Sequence, residues 1–141
     1  MKALTICQPY AHLIVTGKKR VENRGWSTRH RGLLLIHAGK SKEWLCGDVP
    51  SPDMAFGAVV GAAQLLDCLH IDEIRQGTHE ARYPWLSAHL HAEGPWCWLL
   101  DDVRRFDPPM SCKGAQGLWT VPDHLVPRRA TSSRDQENAD G

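Results

Sequence analysis

The side chains best suited to chemistry are concentrated in residues 17–31, "GKKRVENRGWSTRHR". Eight of these fifteen residues are Lys, Arg, Glu or His, and Trp26 lies among them. A carboxylate can accept a hydrogen bond from a base amino group, cations bind phosphate, and an indole can stack on a base. The segment therefore indicates either a pocket for a nucleotide or nucleic acid, or a solvated edge strand.

Lys19, Glu22 and Arg24 are the central candidates within this segment. Glu22 and Arg24 are two residues apart, so they share one face of a strand, and Lys19 joins them only if the strand begins after it. Glu22 is interpreted either as an acceptor for a base or as an ion-pair partner that orders Arg24. Lys19 is interpreted as a phosphate ligand. Lys18 and Arg20 supply neighbouring cations.

The charge of the chain is distributed unevenly. Residues 1–42 contain nine Lys or Arg and one acid, Glu22, although the whole chain has a formal net charge of only +1. This asymmetry predicts a basic face for RNA or DNA, and scattering of the charges by the fold is the alternative. The candidate binding residues are Gln8, Pro9, Lys18, Lys19, Arg20, Glu22, Arg24, Trp26, Arg29, Arg31, His37, Lys40, Lys113 and Gly114.

Three further groups of candidates come from local context. Gln8 is not a preferred helix cap, so the amides at the helix start beside it face either water or an anion. Trp26 is interpreted as a stacking residue next to Arg29 and Arg31, or as a side chain that closes one end of a barrel. His37 and Lys40 end a central strand, and the loop at Lys113 and Gly114 can bring its backbone close to a phosphate.

The composition argues against several classes of protein. No run of about 18 apolar residues occurs, and the N-terminal sequence lacks the features of a signal peptide, so we expect a cytoplasmic protein that does not bind membranes. The five Cys are widely spaced without a CxxC pair, which argues against a disulfide framework or a zinc knuckle. The eight His show no recognised ligand spacing, so neither a metal nor a cofactor is predicted.

The apolar pattern predicts the elements that must position these side chains. Period-two or continuously apolar runs predict strands in "MKALTIC", "KRVENRGW", "GLLLIHAG", "AVVGAAQLLDCLHI" and "GPWCWLLDDVRRF", with a last strand around Leu118–Val121. "QPYAHLIVTGKK" and "KSKEWLC" predict short helices, with Pro9 at the first helical position and Gly17 after the last. "SPDMAFG" and "PPMSCKGAQG" predict loops. The fold class is thus α+β, a small mixed β-barrel of five to six strands with two to three short flanking helices.

Residues 1–126 are predicted to form one domain. From residue 127 onward, "PRRATSSRDQENADG" has no apolar residue larger than Ala, so 127–141 is predicted to be a disordered tail.

The motif Gly17-x-Lys19-x-x-Glu22-x-Arg24, preceded by "QPY" and followed near the end by "KGAQGLW", resembles the ASCH domain family of the PUA-like superfamily. The resemblance extends over roughly residues 1–125. It implies a small β-barrel with a cleft beside the motif and a role in binding RNA or other nucleic acids. Some bacterial members are amidohydrolases that deacylate N4-acylcytidine nucleosides, and ribonuclease activity is associated with others.

Residue by residue, the resemblance leaves binding and catalysis open. In the amidohydrolase branch the motif lysine, here Lys19, is the candidate nucleophile or base. That branch has a threonine three residues later, where this chain has Glu22, and this departure favours binding over hydrolysis. Under the enzyme alternative, Lys19 and Glu22 are the candidate catalytic residues, and the pKa of Lys19 must be lowered by burial or neighbouring cations. "QPY" and the body of the chain are more similar to the eukaryotic coactivator branch. We therefore expect a monomeric RNA-binding module with a basic cleft at the motif, the alternative being a nucleoside amidohydrolase.

Overall fold

Six strands form one curled sheet in the computed structural model, which describes residues 1–45 and 52–128. The order across the sheet is β2-β5-β4-β3-β1-β6, which makes a half-barrel with β2 and β6 at its ends. β1 and β3 are parallel, and the other neighbouring strands are antiparallel. The strands are β1 Lys2–Ile6, β2 Val21–Arg24, β3 Gly32–Ala38, β4 Ala58–His70, β5 Trp96–Ser111 and β6 Leu118–Thr120.

Two short helices accompany the sheet in the described residues. α1 spans Tyr10–Val15 between β1 and β2, and α2 spans Ile71–Arg75 after β4. Gly17 has φ +82°, so it follows the helix end as predicted, because glycine adopts this conformation without a steric penalty. Pro9 is the N-cap of α1 rather than its first helical residue. The helix predicted in "KSKEWLC" is only a 3₁₀ turn at Glu43–Leu45, and Cys46 lies outside the described residues.

The main core lies between α1 and one face of the sheet. Ile14 and Val15 of α1 pack in one cluster with Leu4, Ile36 and Trp98, all of them buried. Gly61 of β4 marks a close approach between neighbouring elements. A Cβ atom there would lie 2.7 Å from Val15 Cγ1 and closer still to the Arg104 carbonyl oxygen. Small residues in β4 therefore let α1 and β5 approach, which holds the start of α1 against the sheet.

β5 is longer than the sequence predicts. The strand continues past Phe106 to Ser111, where Met110 pairs with Val59, although "PPMS" was expected to be a loop. A register shift in the pairing between Val59 and Gly61 accommodates the two prolines, since proline is tolerated at such irregularities.

Two other predictions concern membrane-spanning helices and the C-terminal tail. No helix within residues 1–45 and 52–128 is long and apolar enough to cross a membrane. Residues 129–141, most of the predicted tail, lie outside the described residues. The disorder of that tail therefore stays a prediction.

Candidate functional site

A cleft of about 440 Å³ opens where the ends of β1 and β2 meet the start of α1, and we call it the motif cleft. This volume falls in the usual range of small-molecule sites. Three of its lining residues belong to the sequence motif. The lining comprises Thr5, Ile6, Cys7, Tyr10, Lys19, Glu22, Asn23, Arg24, Trp44, Leu90, His91 and Glu93.

Lys19 faces the same cleft as Glu22 because β2 begins only at Val21. The strand thus begins after Lys19, which was the condition for Lys19 and Glu22 to share one site. Lys19 is only 3% exposed, its Nζ donates a hydrogen bond to the Val21 carbonyl, and it lies 3.4 Å from Glu22 Oε1. The ammonium is also 5.6 Å from the centroid of the Tyr10 ring. A buried ammonium is therefore held by one carbonyl, one carboxylate and one aromatic face.

Glu22 fixes the position of Arg24. Its Oε2 accepts hydrogen bonds from Arg24 Nε at 3.2 Å and Nη2 at 2.9 Å, while its Oε1 accepts one from the Asn23 amide at 3.2 Å. Arg24 Nη2 also donates to the Thr5 carbonyl at 2.7 Å. Among the described residues, Arg24 Nη1 makes no hydrogen bond. The ordered guanidinium thus has two N–H groups left for a ligand.

The charges that line the motif cleft balance one another. Lys19 and Arg24 are offset by Glu22 and Glu93, so this lining differs from the basic cleft predicted at the motif. Burial lowers the pKa of Lys19, and Glu22 partly opposes that shift. Burial and then the Lys19 charge lower the pKa of His91, which favours the neutral form of this imidazole.

Asn23 holds in place the wall of the cleft that faces the motif residues, which is formed by residues 90–93. Its Nδ2 donates to the His91 carbonyl at 2.8 Å, and its Oδ1 accepts from the amides of Glu93 at 3.1 Å and Gly94 at 2.8 Å. These bonds carry residues 91–94 back to β2, which brings Leu90, His91 and Glu93 to the cleft. Leu90, His91 and Glu93 were not predicted as site residues from the sequence. The only local signal for this wall is the Asn between the motif Glu and Arg.

Aromatic residues complete the motif cleft. The rings of Tyr10 and Trp44 lie 6.4 Å apart and tilted, and Trp44 is 53% exposed. Tyr10 is only partly buried and faces the cleft. Its position directly after "QP" was the available signal. The side chains of Tyr10 and Trp44 give the cleft two aromatic surfaces that can contact a planar group.

A second cleft of about 360 Å³ collects four other predicted residues, and we call it the lysine cleft. It is lined by Thr5, His37, Gly39, Lys40, Gly57, Lys113, Gly114, Ala115 and Gln116. Thr5 lines both clefts: its carbonyl holds Arg24, and its Oγ1 lies 3.1 Å from His37 Nδ1. Residues that are distant in sequence are therefore brought together in two adjacent sites.

The sequence matches a family model described as "ASCH domain" over residues 4–110. The chain belongs to the ASCH domain family. Members of this family have a PUA-like fold, which is an RNA-binding fold. The resemblance inferred from the motif is thus confirmed.

Two relatives and two solved structures place this ASCH domain further. Human and mouse "Activating signal cointegrator 1" are 30% and 42% identical to it over 133 residues. Each match covers 84% of this chain and 22% of the relative, so the chain spans about a fifth of those proteins. The crystal structure of ASCH from Zymomonas mobilis has a TM-score of 0.54 at 17% identity, over 88% of this chain and 89% of that one. A single-residue variant of it has a TM-score of 0.53 at 17% identity, over 99% and 96%. The predicted small α+β barrel is confirmed.

The remaining predicted residues of this ASCH domain lie outside both clefts. The expected anion site at the start of α1 is not formed, because the Gln8 side chain is buried and fully engaged. Its Oε1 accepts from the His12 amide at 2.9 Å, and its Nε2 donates to the Ala55 carbonyl at 2.7 Å. Pro9 is a backbone cap with no side-chain donor. Lys18 is exposed and lines neither cleft.

Three arginines also point elsewhere. The Arg20 guanidinium lies 3.8 Å from the centroid of the Trp85 ring, and Arg31 pairs with Asp67 at 3.3 Å. Arg29 is exposed and lines neither cleft. Cation–π stacking and ion pairing thus give Arg20 and Arg31 partners within the protein, away from both clefts.

Trp26 packs on the sheet and stays partly exposed. The ring packs edge-to-face on buried Trp98 with centroids 4.9 Å apart, and the Trp26 carbonyl accepts from Trp98 Nε1 at 3.3 Å. The side chain nevertheless stays 38% exposed. Trp26 therefore closes one end of the sheet and keeps a partly open indole surface.

Proposed function

We propose that this ASCH domain binds RNA and receives one nucleobase in the motif cleft. The observation that carries the proposal is the Arg24 guanidinium. Three hydrogen bonds to Glu22 and Thr5 fix it, while its Nη1 makes no hydrogen bond within residues 1–45 and 52–128. A donor that is ordered before the ligand arrives loses little entropy on binding. Base carbonyl and ring-nitrogen acceptors suit such a donor.

The balanced charge of the motif cleft favours a base over a phosphate as its occupant. Two carboxylates offset the two cations, so a phosphate would gain little net attraction there. The aromatic rings of Tyr10 and Trp44 offer surfaces on which a base can stack, and stacking contributes about 1–3 kcal/mol per base.

Glu93, rather than Glu22, is the carboxylate we propose for reading a base amino group. Both Glu22 oxygens already accept hydrogen bonds from Arg24 and Asn23. Glu93 lines the cleft, is exposed and makes no side-chain hydrogen bond to a described residue. An Arg–Glu pair facing one base offers both a donor and an acceptor, which suits cytosine with its carbonyl and amino group.

The experiment is a fluorescence-anisotropy titration of a labelled single-stranded RNA with wild type, Arg24→Ala and Glu93→Gln. Removing a direct base contact costs about 1–3 kcal/mol, so each variant should weaken binding by about tenfold. Glu80→Gln is the matched control, since Glu80 is exposed and lines neither cleft. DNA of the same sequence forms a parallel arm. Unchanged affinity in both cleft variants, with native circular dichroism, would overturn the proposal.

Hydrolysis of an N4-acylcytidine is a second candidate, favoured by the lowered pKa of buried Lys19. Water would add across the amide bond and release cytidine and the carboxylic acid, with Lys19 as nucleophile or base and Glu22 beside it. The test is incubation with N4-acetylcytidine, with cytidine release followed by chromatography for wild type and Lys19→Met. Release by wild type alone supports the activity, and equal release by both excludes the lysine mechanism.

A further inference from the structure

The lysine cleft differs from the motif cleft in its charge. Lys40 and Lys113 line it, and none of its lining residues is Asp or Glu. Neither ammonium forms a hydrogen bond or ion pair with residues 1–45 and 52–128. Arg20, Arg24 and Arg31, by contrast, have acidic partners in the fold. Two lysines without acidic partners therefore face one concave surface, which attracts an anion.

The loop that carries Lys113 is fixed on both sides of that residue. His37 Nε2 donates to the Cys112 carbonyl at 2.6 Å, and Thr5 Oγ1 donates to the Ala115 carbonyl at 3.2 Å. Trp119 Nε1 in turn donates to Thr5 Oγ1 at 3.1 Å. The hydrogen bonds hold residues 112–115 against the buried His37 ring, so the loop is positioned before a ligand binds.

Glycine is required at the closest point of this contact. A Cβ atom on Gly114 would lie 2.6 Å from His37 Cε1 and 2.7 Å from Thr5 Oγ1, closer than real side chains approach. Gly57 plays a similar part opposite, where a Cβ atom would lie 3.1 Å from Lys40 Cε. The aliphatic chain of Lys40 therefore rests on Gly57, and the floor of the cleft is backbone and imidazole.

The same loop leaves backbone donors available. Among the described residues, the amides from Lys113 to Gln116 find no acceptor, whereas the Cys112 amide donates to the Gly57 carbonyl at 3.1 Å. Successive unpaired amides beside lysine ammonium groups are a recurrent arrangement for binding phosphate oxygens.

We propose that the lysine cleft is a phosphodiester subsite that binds the RNA backbone next to the base held in the motif cleft. This inference rests on the proposed function. The two clefts are adjacent, since Thr5 of β1 lines both of them. One ligand thus spans both, with its base beside Arg24 and its phosphate beside Lys40 and Lys113. The uncharged base suits the motif cleft, whose charges balance. The anionic phosphate suits the lysine cleft, whose net charge is positive.

The test is the salt dependence of RNA affinity for wild type and the double variant Lys40→Ala/Lys113→Ala. The RNA carries hydroxyl groups at both ends, so that phosphodiesters are its only anions. Loss of the one phosphate contact that the two lysines share should reduce the slope of log K against log salt by about 0.7. The matched control is Lys2→Ala/Arg75→Ala, which removes the same charge from exposed residues that line neither cleft.

The outcomes separate this inference from the proposed base site. An unchanged slope in Lys40→Ala/Lys113→Ala, or an equal change in the control, would overturn the phosphodiester subsite. Arg24→Ala should instead weaken binding at every salt concentration and preserve the slope, so its failure counts only against the base site. Gly114→Ala gives a second check without a charge change. It should weaken RNA binding, while Gly25→Ala should have less effect, because the Gly25 backbone lies outside the left-handed region and an added Cβ there meets no atom within 4 Å.

Discussion

Replacing Glu22 by Gln tests the buried charge network in the motif cleft. The carboxylate accepts hydrogen bonds on Oε2 from Arg24 and on Oε1 from Asn23, and Oε1 also faces Lys19 at 3.4 Å. A carboxamide has only one acceptor oxygen, so its NH₂ group must face one of these sets of donors. The variant therefore loses an anion and gains a clash of donors at a buried position.

The expected magnitude follows from the geometry. At 3.4 Å and an effective dielectric constant of ~20, the attraction between Lys19 and Glu22 is about 5 kcal/mol before desolvation is subtracted. Removing one partner of a buried pair typically costs about 3–5 kcal/mol. Gln retains one acceptor, so we expect the free energy of unfolding to fall by about 3 kcal/mol at pH 7.

The pH dependence gives a second signature. Burial already lowers the Lys19 pKa from its ordinary value of 10.5, and loss of the Glu22 charge lowers it further. Between the folded pKa and 10.5 the unfolded chain binds more protons than the native state, so stability rises with pH. The penalty of Glu22→Gln should therefore shrink as pH is raised from neutral through this window.

Urea unfolding followed by tryptophan fluorescence measures both effects, since Trp98 is fully buried. Glu93→Gln is the control, because this exposed carboxylate should change stability by less than about 0.5 kcal/mol. The double variant Lys19→Met/Glu22→Gln should recover much of the loss, since the unpaired ammonium is then absent. A penalty below about 0.5 kcal/mol, or one that grows with pH, would refute the reasoning.

Three further predictions concern the scaffold. Gly61→Ala should lower the free energy of unfolding by about 1–3 kcal/mol in urea titrations, because the new methyl group overlaps the Arg104 carbonyl; no loss would mean that β5 can shift freely. Asn23→Asp should speed hydrogen exchange of the Gly94 amide and its neighbours, because it removes the donor to the His91 carbonyl; unchanged exchange would argue against Asn23 as the clamp. Burial lowers the pKa of His89 below 6.5, so its protonation in the unfolded chain should reduce stability as pH falls through about 6.5. His89→Gln, which keeps an acceptor for the Arg20 amide, should flatten that dependence, and an unaltered profile would contradict it.

Local sequence patterns predicted much of the fold. The apolar run that forms β3, the small residues of β4 around Gly61, and the helix end at Gly17 each express a steric or burial preference of a few neighbouring residues. The placement of Glu22 and Arg24 on one face of β2 also followed, whereas Lys19 joins them only because β2 begins at Val21, two residues after the predicted strand start. The extension of β5 through its prolines did not follow, since strand pairing with β4 decided it.

The rest of the site depends on contacts between distant parts of the chain. Asn23 reaches His91, Glu93 and Gly94 at separations of 68 to 71 residues, and no local pattern encodes such a return. The helix start at Gln8 left water or an anion open as the partner of its amides, but the His12 amide and the distant Ala55 carbonyl bind the Gln8 side chain there. Net charge over residues 1–42 likewise indicated a basic face without showing that acidic partners from later segments neutralise several of those residues.

Chemical-shift mapping by ¹H–¹⁵N NMR, with unlabelled single-stranded RNA titrated into the labelled protein, tests the central claim most directly. The account predicts saturable shifts for the amides of Tyr10, Asn23 and Arg24 and for those of residues 91–94. Arg24→Ala should require about tenfold more RNA to saturate these shifts, as expected for the loss of one base contact. Saturable shifts confined to other surfaces, with the motif-cleft amides unmoved, would contradict a base-binding role for this cleft.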